Sequence, residues 1–175
     1  MKNIYFLIII TLFLSSSSFC KAQTPAYHSL KNGKVFMKVP NTWTSQIDTI
    51  KDVFRIAVTP DTLADLTIKA FEVFEIKMHG RTFAKFKEDF DHTITSRMGG
   101  GRDSKILRKE NIVFKGYQTV YAEAISNNIS TKNYAVNCGP TVYLLILVGR
   151  DVNGVFDTRM QEEEEAILSS LIIYK

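Results

Sequence analysis

Cys138 carries the most nucleophilic side chain of the chain beyond its first 22 residues. A cysteine nucleophile needs a neighbouring base and an electropositive setting that stabilises the thiolate. The segment Asn137–Pro140 contains a Gly-Pro pair that is typical of a turn, and the sequence identifies no base beside it. No G-x-S-x-G motif of serine hydrolases occurs either. We therefore expect a packed or merely tolerated thiol, and no catalytic residue.

Glu88 and His92 lie four residues apart, so on a helix they could bind one metal ion together. A zinc site needs three or four ligands. The remaining histidines, His28 and His79, have no ligand-type neighbours at a useful spacing. We therefore interpret Glu88 and His92 as a surface pair, and we expect neither a metal site nor a cofactor.

Two short segments have a strongly biased composition, Gly99–Gly101 and Glu162–Glu165. Phosphate-binding glycine loops run from a strand into the start of a helix. Gly99–Gly101 instead follows a predicted helix, so we interpret it as a helix stop. Four consecutive acidic residues sweep a full helical turn and cannot form a metal cluster on one face. Glu162–Glu165 is therefore interpreted as a solvated stretch near a helix start, where the helix dipole stabilises negative charge.

Trp43 is the only tryptophan and the one candidate for a partner-binding residue. Tryptophan is enriched at the energetic centres of protein interfaces. The alternative is that Trp43 folds back after a first strand and caps the core, and we favour this second interpretation.

Residues 1–22 have the anatomy of a secretory signal peptide, with a basic start, an apolar stretch at Ile4–Leu14 and a cleavage site after Ala22. The apolar stretch is about half as long as a membrane span requires. No later segment is long enough, so no transmembrane segment is expected in the mature chain. Phe19 is bulky where a lipid-modified Cys20 needs a small residue before it, so we expect no lipid anchor.

Removal of the signal peptide leaves a chain of ordinary one-domain size with little net charge. The sequence has 22 basic and 18 acidic residues, and the signal peptide contains two of the basic ones, which leaves a net charge of +2. The basic residues are spread along the chain, which argues against a nucleic-acid partner. One remaining cysteine cannot form an internal disulfide, so the fold must rest on its hydrophobic core. We expect a flexible lead-in at residues 23–33 and one domain at residues 34–175.

Hydrophobic periodicity predicts an α+β domain. Apolar residues spaced three, four and four apart predict an amphipathic helix from Arg81 to Met98. A second helix is predicted to begin at Asp157 and to turn Met160, Ile167, Leu168 and Leu171 inward. Strands are predicted at residues 34–39, 53–59, 66–77, 106–114, 116–126, 130–137 and 141–149, with a short final strand at 172–174.

The run Val142–Val148 is apolar on both faces of a strand. A strand with one solvent-exposed face would alternate apolar and polar residues, so this run predicts a central strand that is covered on both sides. The two predicted helices are available as cover. One helix on each face gives a three-layer α/β/α sandwich around an antiparallel sheet of about six to seven strands.

Two short motifs within this order of elements resemble the PsbP-like superfamily. The first strand ends in Val39-Pro40-Asn41-Thr42-Trp43, similar to the v-P-x-x-W opening of that family, and Ile167–Leu171 is similar to its i-l-x-S-l/f close. The resemblance covers most of the mature chain. It implies an α/β/α sandwich and a binding or assembly module, as in PsbP, a Ran-binding transport factor and the exported bacterial DcrB-like proteins. It carries over no catalytic residue.

We therefore expect a non-enzymatic, exported binding or assembly module of the bacterial cell envelope. It would be periplasmic or secreted and would contact another envelope or exported protein. The alternative is a carrier of a small apolar ligand held between sheet and helix, suggested by Phe71, Phe83, Phe86 and Phe90. A hydrolase is disfavoured because no nucleophile–base pair can be named.

Overall fold

The computed structural model describes residues 26–29, 34–39, 43–50, 53–60, 69–97, 104–126, 129–150 and 158–174. The strands in these ranges are β1 (Ala26–Ser29), β2 (Val35–Val39), β3 (Trp43–Ile50), β4 (Val53–Pro60), β5 (Lys69–Lys77), β6 (Lys105–Phe114), β7 (Tyr117–Ser126), β8 (Ile129–Asn137), β9 (Thr141–Arg150) and β10 (Ile172–Ile173). The helices are α1 (Phe83–Glu88), α2 (Phe90–Arg97) and α3 (Thr158–Ser170). The predicted signal peptide, the triple glycine and the predicted cap Asp157 lie outside the described residues.

Seven strands form one antiparallel sheet in the order β3-β4-β5-β9-β8-β7-β6. β9 therefore has three strands on either side of it. Every residue of β9 from Thr141 to Leu147 is buried, which means that both faces of this strand are covered. The predicted central strand, the α+β class and the antiparallel sheet of six to seven strands are confirmed.

The α1 and α2 helices cover one face of this sheet. Thr82 caps α1 by accepting a hydrogen bond from the backbone N–H of Lys85 at 3.2 Å. The helices and the sheet share a set of buried side chains, here called the α2-side core: Phe74, Met78, Phe86, Phe90, Ile94, Val120, Ala122, Ala124, Ala135, Val142, Leu144 and Ile146.

The prediction of one continuous helix from Arg81 to Met98 was wrong at Asp89. The backbone of Asp89 leaves helical geometry at φ −91° and ψ 2°, and its carboxylate pairs with the Arg81 guanidinium. The inward spacing continues across this break, because Phe86 and Phe90 are both buried on the same side. The periodicity of apolar residues therefore could not reveal the break at Asp89.

The opposite face is covered by α3 together with a three-stranded antiparallel sheet in the order β1-β2-β10. The predicted helix on this face is confirmed, and the small sheet is an additional layer of cover. Lys38 N–H donates a hydrogen bond to Ser170 Oγ at 2.9 Å, which ties β2 to the end of α3. The buried residues here form the β2-side core: Val35, Met37, Val39, Phe71, Val73, Val136, Tyr143, Leu145, Leu147, Ile167, Leu171 and Ile173.

Two segments have more regular structure than the sequence predicted. Residues 26–29 lie in the expected flexible lead-in but form β1, because they pair in antiparallel register with β2 from Ala26–Val39 to Ser29–Phe36. The segment after Trp43 forms β3, an edge strand paired along its whole length with β4. Residues 44–47 are exposed, so this part of β3 does not show the alternation of buried and exposed residues by which a strand is recognised.

Candidate functional site

A cavity of about 480 Å³ lies at one end of the domain, where the two sheets approach each other. It is referred to below as the hairpin-end cavity, because the turns of two β-hairpins form much of its wall. Eleven residues line it: Lys34, Gly116, Tyr117, Gln118, Asn137, Cys138, Gly139, Pro140, Thr141, Tyr143 and Tyr174.

The first wall is the turn between β6 and β7. Lys115 and Gly116 have φ angles of 50° and 82° and join Phe114 to Tyr117, which are paired in register. Positive φ at both central residues is the geometry that continues the twist of a two-residue hairpin. Lys115 Nζ donates a hydrogen bond to the backbone carbonyl of Ser169 at 2.8 Å, so this turn is attached to the end of α3.

The second wall is the turn between β8 and β9. Gly139 N–H donates to Asn137 Oδ1 at 3.1 Å, and Cys138 N–H donates to the Thr141 carbonyl at 2.9 Å. Gly139 has φ 77°, a conformation that glycine adopts without a steric penalty. The Pro140 carbonyl accepts a hydrogen bond from Met78 N–H at 2.9 Å, which ties the turn to the chain that leaves β5.

The third wall belongs to the small sheet. Tyr174 N–H donates to the Lys34 carbonyl at 2.8 Å and extends the β2–β10 pairing by one residue. Tyr117 Oη donates to the Ile173 carbonyl at 3.1 Å and so bridges the two sheets. The Tyr174 ring meets the Phe36 ring edge-on at a centroid distance of 5.7 Å. The two hydrogen bonds attach these walls to each other at the backbone carbonyls of Lys34 and Ile173.

The lining combines aromatic surface with hydrogen-bonding groups. Tyr143 is 1% exposed and belongs to the β2-side core, Tyr117 is half-buried, and Tyr174 is 54% exposed. Cys138 is half-buried, forms no disulfide bond within the described residues and packs against the same core. Such a mixture of apolar walls with a few fixed polar groups, in a volume of a few hundred Å³, is the usual chemistry of a ligand pocket.

Three lysines surround this end of the domain. Lys34 lines the cavity, Lys115 directly precedes the lining residue Gly116, and Lys77 pairs in register with the lining residue Thr141. Lys77 forms an ion pair with Glu75, whose side chain is 2% exposed. The lining itself contributes one lysine and no carboxylate side chain.

The structure brings Cys138 to this site but separates it from the other candidates. Trp43 begins β3 and is half-buried against the β2-side core, in agreement with the favoured interpretation that it covers the core. Glu88 and His92 are both exposed. No group of three or more potential metal ligands occurs among the described residues. Glu162 and Glu165 are exposed on α3, as a solvated stretch requires. The expected stabilisation by the helix dipole was wrong, because the first turn of α3 contains no acidic residue.

The four phenylalanines that suggested an apolar ligand do not form one site. Phe71 belongs to the β2-side core, whereas Phe86 and Phe90 belong to the α2-side core on the other face of the sheet, and Phe83 packs against it. Phe83, Phe86 and Phe90 contact one another, with ring centroids 6.1 Å and 5.9 Å apart for successive pairs.

Sequence reasoning did not identify the tyrosines of the cavity. Tyr117, Tyr143 and Tyr174 occur on three different strands or strand ends, and no local spacing relates them. The available signal was the pair of turn sequences, Lys115-Gly116 and Cys138–Pro140. In an antiparallel meander, alternate turns fall at the same end of the sheet, and this places the two turns together.

The comparisons with known proteins concern the fold. No protein-family model matches the chain, and no curated protein matches its sequence. The structure is similar to the solution structure of cyanobacterial PsbP (CyanoP) from Synechocystis sp. PCC 6803, with a TM-score of 0.63, 13% identity, and coverage of 91% of this chain and 98% of that chain. A crystal structure from Bacteroides thetaiotaomicron VPI-5482 matches with a TM-score of 0.48 and 10% identity, covering 87% of this chain and 50% of that chain. The chain therefore has a PsbP-like fold, which confirms the resemblance at the level of the fold.

Proposed function

We propose that this chain, a protein with a PsbP-like fold, is a non-enzymatic binding module that is exported from a bacterial cell and contacts another envelope or exported protein. The hairpin end of the domain, with its cavity, is the contact site in this proposal. The likeness to CyanoP supports the proposal through the fold, and the cavity and the surface beside it supply the argument for the site.

The observation that carries the proposal is the position of the cavity beside exposed apolar side chains. Ile172 is 42% exposed and Tyr174 is 54% exposed, and Ile172 is the register partner of Phe36 on the outer face of the small sheet. Adjacent exposed apolar residues next to a cavity are typical of an interaction surface. Tyrosine is also enriched at protein interfaces, because it offers a large apolar area and a hydroxyl group.

The side chains around Cys138 favour binding rather than nucleophilic chemistry. The lining residues other than Cys138 offer tyrosine, threonine, asparagine, glutamine and lysine groups besides the glycines and Pro140. These groups stack on apolar surface and donate or accept hydrogen bonds. A half-buried thiol among them contributes packing surface to a bound group.

Export is proposed on the anatomy of residues 1–22. Within the described part of the chain, none of the helices has the length and apolarity that a bilayer-spanning helix requires. Mass spectrometry of the mature N-terminus would test the proposed cleavage after Ala22. An uncleaved chain that stays in the cytoplasm would contradict this element of the proposal.

The protein contact can be tested by affinity capture from an envelope extract with immobilised mature protein. The variant bait carries Ile172→Ala and Tyr174→Ala. The control bait carries Ile47→Ala, which removes a similarly exposed isoleucine (52% exposed) from β3, an edge strand of the seven-stranded sheet. We expect the wild-type and control baits to recover a protein that the double-variant bait does not recover. The captured protein must then bind the purified module directly. Equal recovery by all three baits would contradict the proposed site.

A small-molecule carrier is the second candidate, and the cavity volume of about 480 Å³ favours it, because ligand pockets span roughly 300–1,000 Å³. The ligand would then lie between the two sheets rather than between the sheet and the α1 and α2 helices. Native mass spectrometry of gently purified protein would detect such a ligand as an added mass. Bare protein under those conditions would contradict the carrier function.

Trp43 remains a proposed second contact. It is half-buried, so part of its ring stays available at the surface. Replacement of Trp43 by phenylalanine in the bait would lower recovery of the partner if the indole contributes to binding.

A further inference from the structure

We infer that β3 pairs antiparallel with the β3 strand of a second copy of this chain, so that two seven-stranded sheets join edge to edge. The inference goes beyond the proposed function, because it concerns an edge of the main sheet and not the hairpin end. It follows from the composition of β3, from its position in the sheet and from the row of residues that ends at Ile47.

The two edge strands of the main sheet, β3 and β6, differ in their protection against pairing. Edge strands offer backbone N–H and C=O groups to any added strand, and charged side chains and β-bulges are the usual means of preventing this. β6 has both, with a bulge between Ile106 and Arg108 and four charged residues between Lys105 and Glu110. β3 instead pairs with β4 in unbroken register along all eight of its residues, and its sequence contains one ionisable residue, Asp48. The β3 edge is therefore the one suited to accept another strand.

An apolar row that crosses the main sheet on the side of the β2-side core ends at Ile47. In the strand register Leu145 stands opposite Val73, and both are 0% exposed. The same row continues through Ile56 of β4 to Ile47 of β3. Ile47 is 52% exposed, and no strand of the described residues lies beyond it. An apolar residue at the opposing position of an added strand would cover Ile47 and extend the row.

A second copy of β3 supplies such a residue. A two-fold axis perpendicular to the sheet at Ile47 places the two copies of Ile47 opposite each other and pairs residues 44–50 of one copy with residues 50–44 of the other. In this register Asp48 stands opposite Gln46, and Thr49 stands opposite Ser45. Two like charges therefore never face each other, which is the arrangement that would oppose pairing. The strand is thus complementary to itself when Ile47 lies on the axis.

Sedimentation equilibrium of the mature protein, between about 1 µM and about 1 mM, measures the association. The contact is a single pair of strands, so we expect a weak dimer with a dissociation constant of about 10–100 µM, as for small interfaces. Ile47→Lys should raise this constant at least about tenfold, because two like charges would then face each other at the axis. Leu107→Lys is the matched control, since Leu107 is 58% exposed on the bulged edge strand β6. This variant should dimerise as the wild type does.

A disulfide cross-link tests the register. The background is Cys138→Ala, with a circular dichroism spectrum like that of the wild type. Ile47→Cys then places two cysteines opposite each other, where Cα atoms lie about 4.5–5.5 Å apart, a distance that a disulfide spans. Ser45→Cys is the control, because an axis at Ile47 separates its two copies by four residue positions, about 13 Å along the strands. Under mild oxidation we expect a covalent dimer of the Ile47→Cys variant and none of the Ser45→Cys variant.

A monomer over the whole concentration range, or equal dissociation constants for the wild type and Ile47→Lys, would overturn the inference. Cross-linking of Ser45→Cys as efficient as that of Ile47→Cys would do the same. A strand of another protein is the alternative occupant of this edge. If the Ile47→Ala bait loses the protein that the wild-type bait captures, β3 binds that protein and the self-pairing is refuted. The dimer measurements do not bear on the proposed contact at the hairpin end, which the Ile172→Ala and Tyr174→Ala bait tests separately.

Discussion

Replacement of adjacent leucines on the central strand tests the architecture most directly. Leu144 and Leu145 are both 0% exposed, but Leu144 belongs to the α2-side core and Leu145 to the β2-side core. Truncation of either to alanine removes three carbon atoms, which at about 0.8 kcal/mol per carbon is about 2.4 kcal/mol of transfer free energy. The cavity that remains adds to this, so each variant should lose about 3–4 kcal/mol of unfolding free energy.

The matched control is Leu107→Ala. Leu107 lies on the edge strand β6 and is 58% exposed, so its truncation should change the free energy of unfolding by less than about 1 kcal/mol. The assay is urea unfolding followed by circular dichroism and by the fluorescence of Trp43. With a slope of about 2 kcal/mol per molar urea, each core variant should lower the midpoint by about 1.5–2 M. A loss no larger than that of Leu107→Ala, in either variant, would show that this face of the sheet is open to water and would refute the sandwich.

Three further predictions concern the helices and turns. Phe90→Ala should lower the free energy of unfolding by about 3–5 kcal/mol because Phe90 is 0% exposed. The control is Phe83→Ala, since Phe83 is only half-buried. Equal losses of stability for the two variants in urea unfolding would contradict the assignment of Phe90 to the inward face. Thr82→Ala should lower the free energy of unfolding by about 1 kcal/mol, because it removes the N-cap of α1. Thr82→Ser should keep most of the wild-type stability, since serine also accepts this hydrogen bond. A serine variant as unstable as the alanine variant would argue against capping. Gly116→Ala should cost about 1 kcal/mol because its φ is 82°, whereas an unchanged unfolding midpoint would contradict the turn geometry.

The sequence was sufficient to predict the centre of the main sheet. The run Val142–Val148 is apolar at consecutive positions, and a run of this kind is stable only where both strand faces are covered. The structure places it on β9 with its core residues divided between two faces. Four consecutive strands connected by short turns then follow from the alternation between residues 105 and 150.

The sequence was insufficient where the structure depends on contacts between distant segments. The pairing of β10 with β2 joins Ile172 to Phe36, and no local pattern relates them. The break at Asp89 was hidden because the apolar spacing continues through it. The hairpin-end cavity depends on the convergence of two turns with Lys34 and Tyr174, so its individual residues could be read from the sequence but their proximity could not.

The small sheet has a consequence for the order of events during biogenesis. β2 is synthesised well before the end of α3, because the Lys38–Ser170 hydrogen bond that joins them spans 132 residues of sequence. The β2-side core therefore stays open until the final turn of α3 has left the ribosome. For the export proposed above, this delay would be useful, because the chain cannot adopt its compact form while most of it is still being synthesised.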